Sequence, residues 1–151
     1  PDRILYSHDD TGLATDVDRS ARLADALSAN LRVRRGTLWS SPDPIATERE
    51  KHALAERSGA IVVDMEAAPI AAVAARAHLP FVAVKAVCDS ATRELPAGIV
   101  RALDGSDGGW SLQMIAAIAF GGPRTWRATR VLARDFASAR RSLATAARLA
   151  A

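Results

Sequence analysis

Apolar residues fall along this chain in two alternating rhythms, short unbroken runs and helical spacing. The run RILY at residues 3–6 reads as a short strand, and between residues 15 and 29 the spacing of Val17, Ala21, Ala24 and Leu27 gives one apolar helical face. A second strand is expected in LRVRRGTLWSS, residues 31–41, before SPDP breaks it. Thr47 and Glu50 then form a capping box in front of the helical stretch EREKHALAERS, which Ser58-Gly59 stops. Residues 60–63 are continuously apolar without alternation, the pattern of a central parallel strand covered on both faces. The alanine-rich EAAPIAAVAARAH, residues 66–78, predicts a helix lying close on a sheet, and PFVAVKAV, residues 80–87, predicts the next strand. Residues 103–110 read as a polar turn-rich loop, followed by helices over 111–120 and 125–151 separated by GGP. No internal repeat is visible. Strand alternating with helix argues for an α/β fold with a mostly parallel sheet, right-handed crossovers and a ligand crevice at the carboxyl ends of the strands.

Composition narrows the class. At 151 residues, with 49% hydrophobic and 25% charged residues, the chain has the make-up of one folded domain, residues 1–122 forming its α/β body and 123–151 a basic amphipathic helix of the same domain. No run approaches the roughly 18 apolar residues of a membrane span, and PDRILYSHDD has no signal-peptide pattern, so a cytoplasmic setting is expected. The single cysteine, Cys88, fits a reducing compartment, and neither it nor any His stands at metal-ligand spacing; no metal is implied. The formal charge of +3 is uneven: seven arginines against Asp135 alone give the stretch 121–151 a charge of +6, leaving −3 on the first 120 residues. Neither GxGxxG nor GxxxxGK[ST] occurs.

The stretch AIVVDMEAAPIAAVAARAHLPFVAVKAVCDSA, residues 60–91, puts Asp64 and Glu66, and then Asp89, where a core should be closing. A carboxylate taken into an apolar interior costs several kcal/mol unless it is paired or hydrogen-bonded. The stretch resembles the signature of the purine nucleoside phosphorylase and methylthioadenosine/adenosylhomocysteine nucleosidase superfamily, in which one strand ends in Met-Glu and two small residues and the next in Ser-Asp-x-Ala. GTLWSSPDPI, residues 36–45, is similar to the segment that lines the purine pocket there. Within the superfamily, SATRELP and the arginine-rich tail are most similar to the hopanoid-associated phosphorylase-like proteins, which remove adenine from adenosylhopane.

The resemblance implies a three-layer phosphorylase-like fold and cleavage of a ribosyl C–N bond through an oxocarbenium-like transition state. It implies that Asp89 donates a proton or strong hydrogen bond to purine N7 as the base leaves. It further implies that Glu66 accepts from the ribose hydroxyls, that Met65 packs on the ribose, and that Ser90 and Ile45 line the substrate site. The implied partner is a purine nucleoside; no cofactor is implied beyond phosphate as a co-substrate in a phosphorolytic reaction. Read singly, Glu66 could equally be a helix N-terminal residue, Asp89 an N-cap, Ser90 a turn residue and Ile45 core. His8, His52 and His78 read as surface residues, and Trp39, Trp110 and Trp126 as core or lid residues.

Several positions depart from the family pattern. Cys88 replaces a Ser, Thr92 replaces a second Asp, and SSPDP lacks the glycine and the pocket aromatic. The family's N-terminal strands, with their phosphate or water site, have no counterpart here. That predicts an exposed sheet edge and self-association into a homo-oligomer. It also leaves a second reading, a non-catalytic interaction or regulatory protein of the same fold. In the tail, Arg127, Arg134, Arg141 and Arg148 recur every seven residues, while Leu132, Phe136, Ala139, Leu143 and Ala146 form an apolar face. That face packs on the domain or a partner, or lets the helix touch an anionic membrane surface. Nucleic acid is not the expected partner, because no aromatic-rich or recognised binding module accompanies the basic tail.

Overall fold

The structure, a computed structural model, describes residues 2–6, 9–95, 100 and 122–150. Four strands form one sheet, β1 (Arg3–Tyr6), β2 (Asp9–Ala14), β3 (Thr37–Ser40) and β4 (Ala60–Asp64), in the order β2-β1-β3-β4. β1, β3 and β4 are parallel, and β2 is antiparallel to β1. Helices α1 (Val17–Ser28), α2 (Glu48–Ser58), α3 (Ala67–Arg76) and α4 (Gly122–Ala150) complete the described elements. The chain is thus α/β, with a mostly parallel central sheet and helices on both sides, as expected.

Side-chain alternation along the strands builds a core on each face. Ile4 and Leu38, neighbours across β1 and β3, are fully buried against Ala67, Ala68 and Ala71 of α3, and small alanines let that helix approach closely. On the opposite face Leu5, Trp39 and Ala60 bury against Leu54 of α2. Arg57 stacks over the Trp39 ring at 5.2 Å, so Trp39 is a core residue, as expected. The capping box at the start of α2 is formed: the Glu50 N–H donates to the Thr47 hydroxyl at 3.2 Å and the Thr47 N–H to the Glu50 carboxylate at 3.0 Å. Gly59 ends the helix at φ 67°, a left-handed conformation that glycine adopts without strain.

The chain departs from the expectations at several places. β2 was not anticipated, because in DDTGLA only Thr11 is of the β-branched or aromatic kind that marks strands, beside two Asp and a Gly that disfavour them. β3 is only Thr37–Ser40, the end of the expected 31–41 run, since the arginines before Gly36 stay outside the sheet. β4 is an edge strand of the described sheet and not its centre. Its pairing with β3 shifts register by one residue, so that Ile61 is extra and 52% exposed. Residues 80–87 form no strand: their backbone joins no ladder, and Phe81 instead accepts from the Asp16 N–H at 2.8 Å and packs on the α3 side of the sheet. Helix α4 begins at Gly122, earlier than expected, because proline is well tolerated in a first helical turn. The expected 103–110 loop, the 111–120 helix, His8 and Trp110 lie outside the described residues, as does the side chain of Trp126.

The inward stripe of α4 also differs from expectation. Ala139 and Ala146 are buried and Leu132, Asp135 and Ser142 are half-buried, a three-and-four spacing that faces α1. Phe136 and Leu143, expected on that face, are 62% and 42% exposed.

Candidate active site

The parallel strands bring Tyr6, Ser40 and Asp64 to one carboxyl edge of the sheet, and α3 starts there. The first turn of any helix has N–H groups without intrahelical partners. In α3 the Ala67 N–H donates to both carboxylate oxygens of Asp64, at 3.2 and 3.1 Å, and the Ala68 N–H donates to the Ser40 hydroxyl at 3.1 Å. Pro69 has no N–H, which is why it is tolerated at this position. The Ala67 and Ala68 donors are therefore satisfied without the carboxylate of Glu66, which occupies the N-cap position yet makes no side-chain capping bond. The two acids have separated roles: the Asp64 side chain is 7% exposed and structural, whereas that of Glu66 is 68% exposed and projects at the strand end. Lys85 bridges them, in direct contact with Asp64 and 3.6 Å from Glu66 Oε2. Met65 lies half-buried between the two acids.

Four residues beyond Lys85, at most about 14 Å of extended chain, comes Asp89. It caps no helix. Its Oδ2 is held by the Lys51 ammonium, reached from α2, while its Oδ1 is buried without a hydrogen-bond partner among the described residues. Lys51 Nζ also donates to the carbonyls of Ser90, at 3.1 Å, and Arg93, at 2.7 Å. Ser90 is exposed, with its hydroxyl 3.2 Å from that of Thr92. The loop is further tied by the Leu95 N–H to the Ala46 carbonyl at 2.9 Å and by an Arg93–Asp135 ion pair to α4. Ile45, next to Ala46, packs half-buried against the Leu5, Trp39, Leu54 and Ala60 cluster.

The structure thus gathers Glu66 and Met65 with Asp64 and Lys85, and Asp89 and Ser90 with Lys51. No hydrogen bond or ion pair among the described residues joins Glu66 to Asp89. Two side chains that organise these groups escaped sequence reasoning. Lys85 had a signal, as the one charge in an otherwise apolar run; Lys51 shares a helix face with Leu54 and Ser58, the mark of a lysine turned inward. His52 is exposed, 3.6 Å from Glu48, and His78 is exposed beyond α3.

The model of one family, described as the phosphorylase superfamily, matches residues 7–117 of the 151. The chain belongs to the phosphorylase superfamily. No curated protein and no solved structure matches it. Apart from the acids at the carboxyl edge, the described residues also line a cavity. That cavity, about 810 Å³, lies between α1, the 30–36 loop, β4, residues 82–87 and α4. No carboxylate lines it, and of the residues just described only Lys85 reaches its wall. Among the described residues, no group of three or more His, Cys, Asp or Glu side chains could hold a metal ion. No described helix is long and apolar enough to cross a membrane.

Proposed function

We propose that this phosphorylase-superfamily chain cleaves the N-glycosidic bond of a purine nucleoside, with adenine as the leaving base. The observation that carries the reading is the division of labour at the start of α3. Asp64 and Ser40 take the capping work that would otherwise explain an acid there, and the Glu66 carboxylate, with no capping bond, stands exposed at the carboxyl edge beside Lys85. In this reading the Glu66 carboxylate accepts from the ribose hydroxyls and lends negative charge to the developing oxocarbenium ion, with Met65 against the sugar. The C1′–N9 bond breaks with its electron pair passing to the purine. Asp89 supplies a proton at N7 through Oδ1, the oxygen not bound to Lys51, and phosphate or water captures C1′. Ser90 and Ile45 complete the nucleoside site from the same loop and its neighbour. The SATRELP stretch and the arginine-rich α4 support adenosylhopane as the particular nucleoside.

The test is release of adenine from adenosine and from adenosylhopane, with and without phosphate, resolved by chromatography. Asp89→Asn is expected to lower base release by roughly 10²-fold or more, the scale of losing a general acid. Near-wild-type turnover by that variant would sink the assignment.

A further inference from the structure

We infer that Lys51 is a positioning residue for Asp89: it fixes which carboxyl oxygen meets the leaving base. This rests on the proposed general-acid role of Asp89 and goes beyond it, since Lys51 stands on a different element and is not itself among the residues expected to meet substrate. An ammonium has three donors. All three are spent on one loop, on Asp89 Oδ2, on the Ser90 carbonyl and on the Arg93 carbonyl. The Lys51 side chain is 11% exposed and that of Asp89 16%, so water competes weakly for either. Because Oδ2 accepts from Lys51, a proton carried by this carboxyl group resides on Oδ1, the oxygen that is buried without a partner among the described residues. The transferable proton then has one address and one direction. Without Lys51 both oxygens would be equivalent and the side chain free to rotate about its carboxyl axis.

The loop needs such an anchor. Residues 80–87 leading into it join no strand, so Asp89 is not held by a sheet ladder. Its other ties are the turn closed by the Arg93 N–H to the Ser90 carbonyl at 3.2 Å, the Leu95 to Ala46 bond, and the Arg93–Asp135 pair. None of them touches the Asp89 side chain. Lys51 alone among the described residues bonds both that side chain and the loop backbone, and it brings the rigidity of α2, whose capping box, Thr47 with Glu50, fixes the helix start in the turn just before it.

The experiment is a double-mutant cycle on base release by the full chain: wild type, Lys51→Met, Lys51→Arg, Asp89→Asn and Lys51→Met/Asp89→Asn. Lys51→Met is expected to lower kcat roughly 10- to 100-fold, the cost of a misaligned group, with KM nearly unchanged. Lys51→Arg, which can still donate to Oδ2, is expected to recover most of the rate. In the Asp89→Asn background Lys51→Met is expected to add nothing. An equal fold-loss in both backgrounds would mean that Lys51 merely supports the fold, and would overturn the inference. So would an unchanged kcat in Lys51→Met while Asp89→Asn is impaired; that outcome leaves the Asp89 role standing. If Asp89→Asn turns over like wild type, or if wild type releases no base, the general-acid reading fails and the positioning role fails with it. An activity-independent readout guards against a variant that unfolds. The ¹³C-carboxyl resonance of Asp89, identified by its loss in Asp89→Asn, should move in Lys51→Met and return in Lys51→Arg; a resonance indifferent to both overturns the contact itself.

Discussion

Asp64 is expected to be worth more to the fold than either neighbouring acid, and substituting it by Asn and by Ala separates its two contributions. Its carboxylate accepts the Ala67 N–H through both oxygens and contacts Lys85, with the side chain 7% exposed against 31% for the lysine. Asn keeps an oxygen that can cap α3 and removes only the charge. Ala removes both. Losing a cap costs about 1 kcal/mol. The ion pair, buried on one side only, is discounted for the water that reaches Lys85 and contributes about 1 kcal/mol. Asp64→Asn should therefore cost about 1 kcal/mol and Asp64→Ala about 2 kcal/mol. For a chain of this size each kcal/mol lowers Tm by about 2–4 °C. Urea unfolding followed by far-ultraviolet circular dichroism measures both, with the slopes compared to confirm that only stability has changed. If Asn and Ala cost the same, Asp64 does not cap α3, and the reason for Glu66 being spared that work disappears.

Three further outcomes are expected. Glu66→Gln should weaken nucleoside binding roughly 10-fold, as for a lost hydrogen bond to a charged group, while free adenine binds as before; calorimetry showing equal losses for both would make Glu66 structural. The backbone N–H and then the hydroxyl of Thr47 hold the Glu50 carboxyl below its usual range. A lowered folded value stabilises above the unfolded one, about 4.3, and that contribution is lost as pH falls through the folded value. The gap in urea midpoint between wild type and Glu50→Gln should accordingly be widest near neutral pH and close on acidification, and a constant gap refutes the capping box as its source. Ala139→Asp, placing a charge on the buried α4 stripe, should destabilise by about 3 kcal/mol, whereas Arg134→Gln on the exposed face stays within about 0.5 kcal/mol; comparable effects would mean that α4 does not pack on α1.

The helices were legible in the sequence because their signals are local. Thr47 with Glu50 and then Gly59 bracket α2, and the alanine run of residues 67–77 could bury closely only as a helix on a sheet. β2 was not legible, since DDTGLA becomes a strand by pairing with β1 and not by its own composition. Site legibility divides in the same way. Glu66 and Asp89 stand out as acids at the ends of apolar runs, but their partners Lys51 and Lys85 lie 38 residues from Asp89 and 19 from Glu66, and no local pattern announces a pairing at that separation.

The stretch 80–87 shows where a purely local argument breaks down and why the site depends on tertiary contacts. Its apolar residues suit a strand, but a strand also needs a neighbour to take its N–H and C=O groups. Here the run is held by single anchors: Phe81 in the core on the α3 side, its carbonyl on the Asp16 N–H, and Lys85 on Asp64. Val84 and Val87 remain 41% and 62% exposed. A segment fixed at points tolerates displacement between them more readily than one fixed by a ladder. Glu66 rides on a capped helix beside the sheet, whereas Asp89 ends the less constrained segment and relies on a lysine from α2 for its orientation. Glu66 is therefore set by the sheet and its capped helix, and Asp89, the base-facing group in the proposed reading, by a single side-chain anchor. Changes near Lys51 should accordingly disturb proton delivery before they disturb ribose binding.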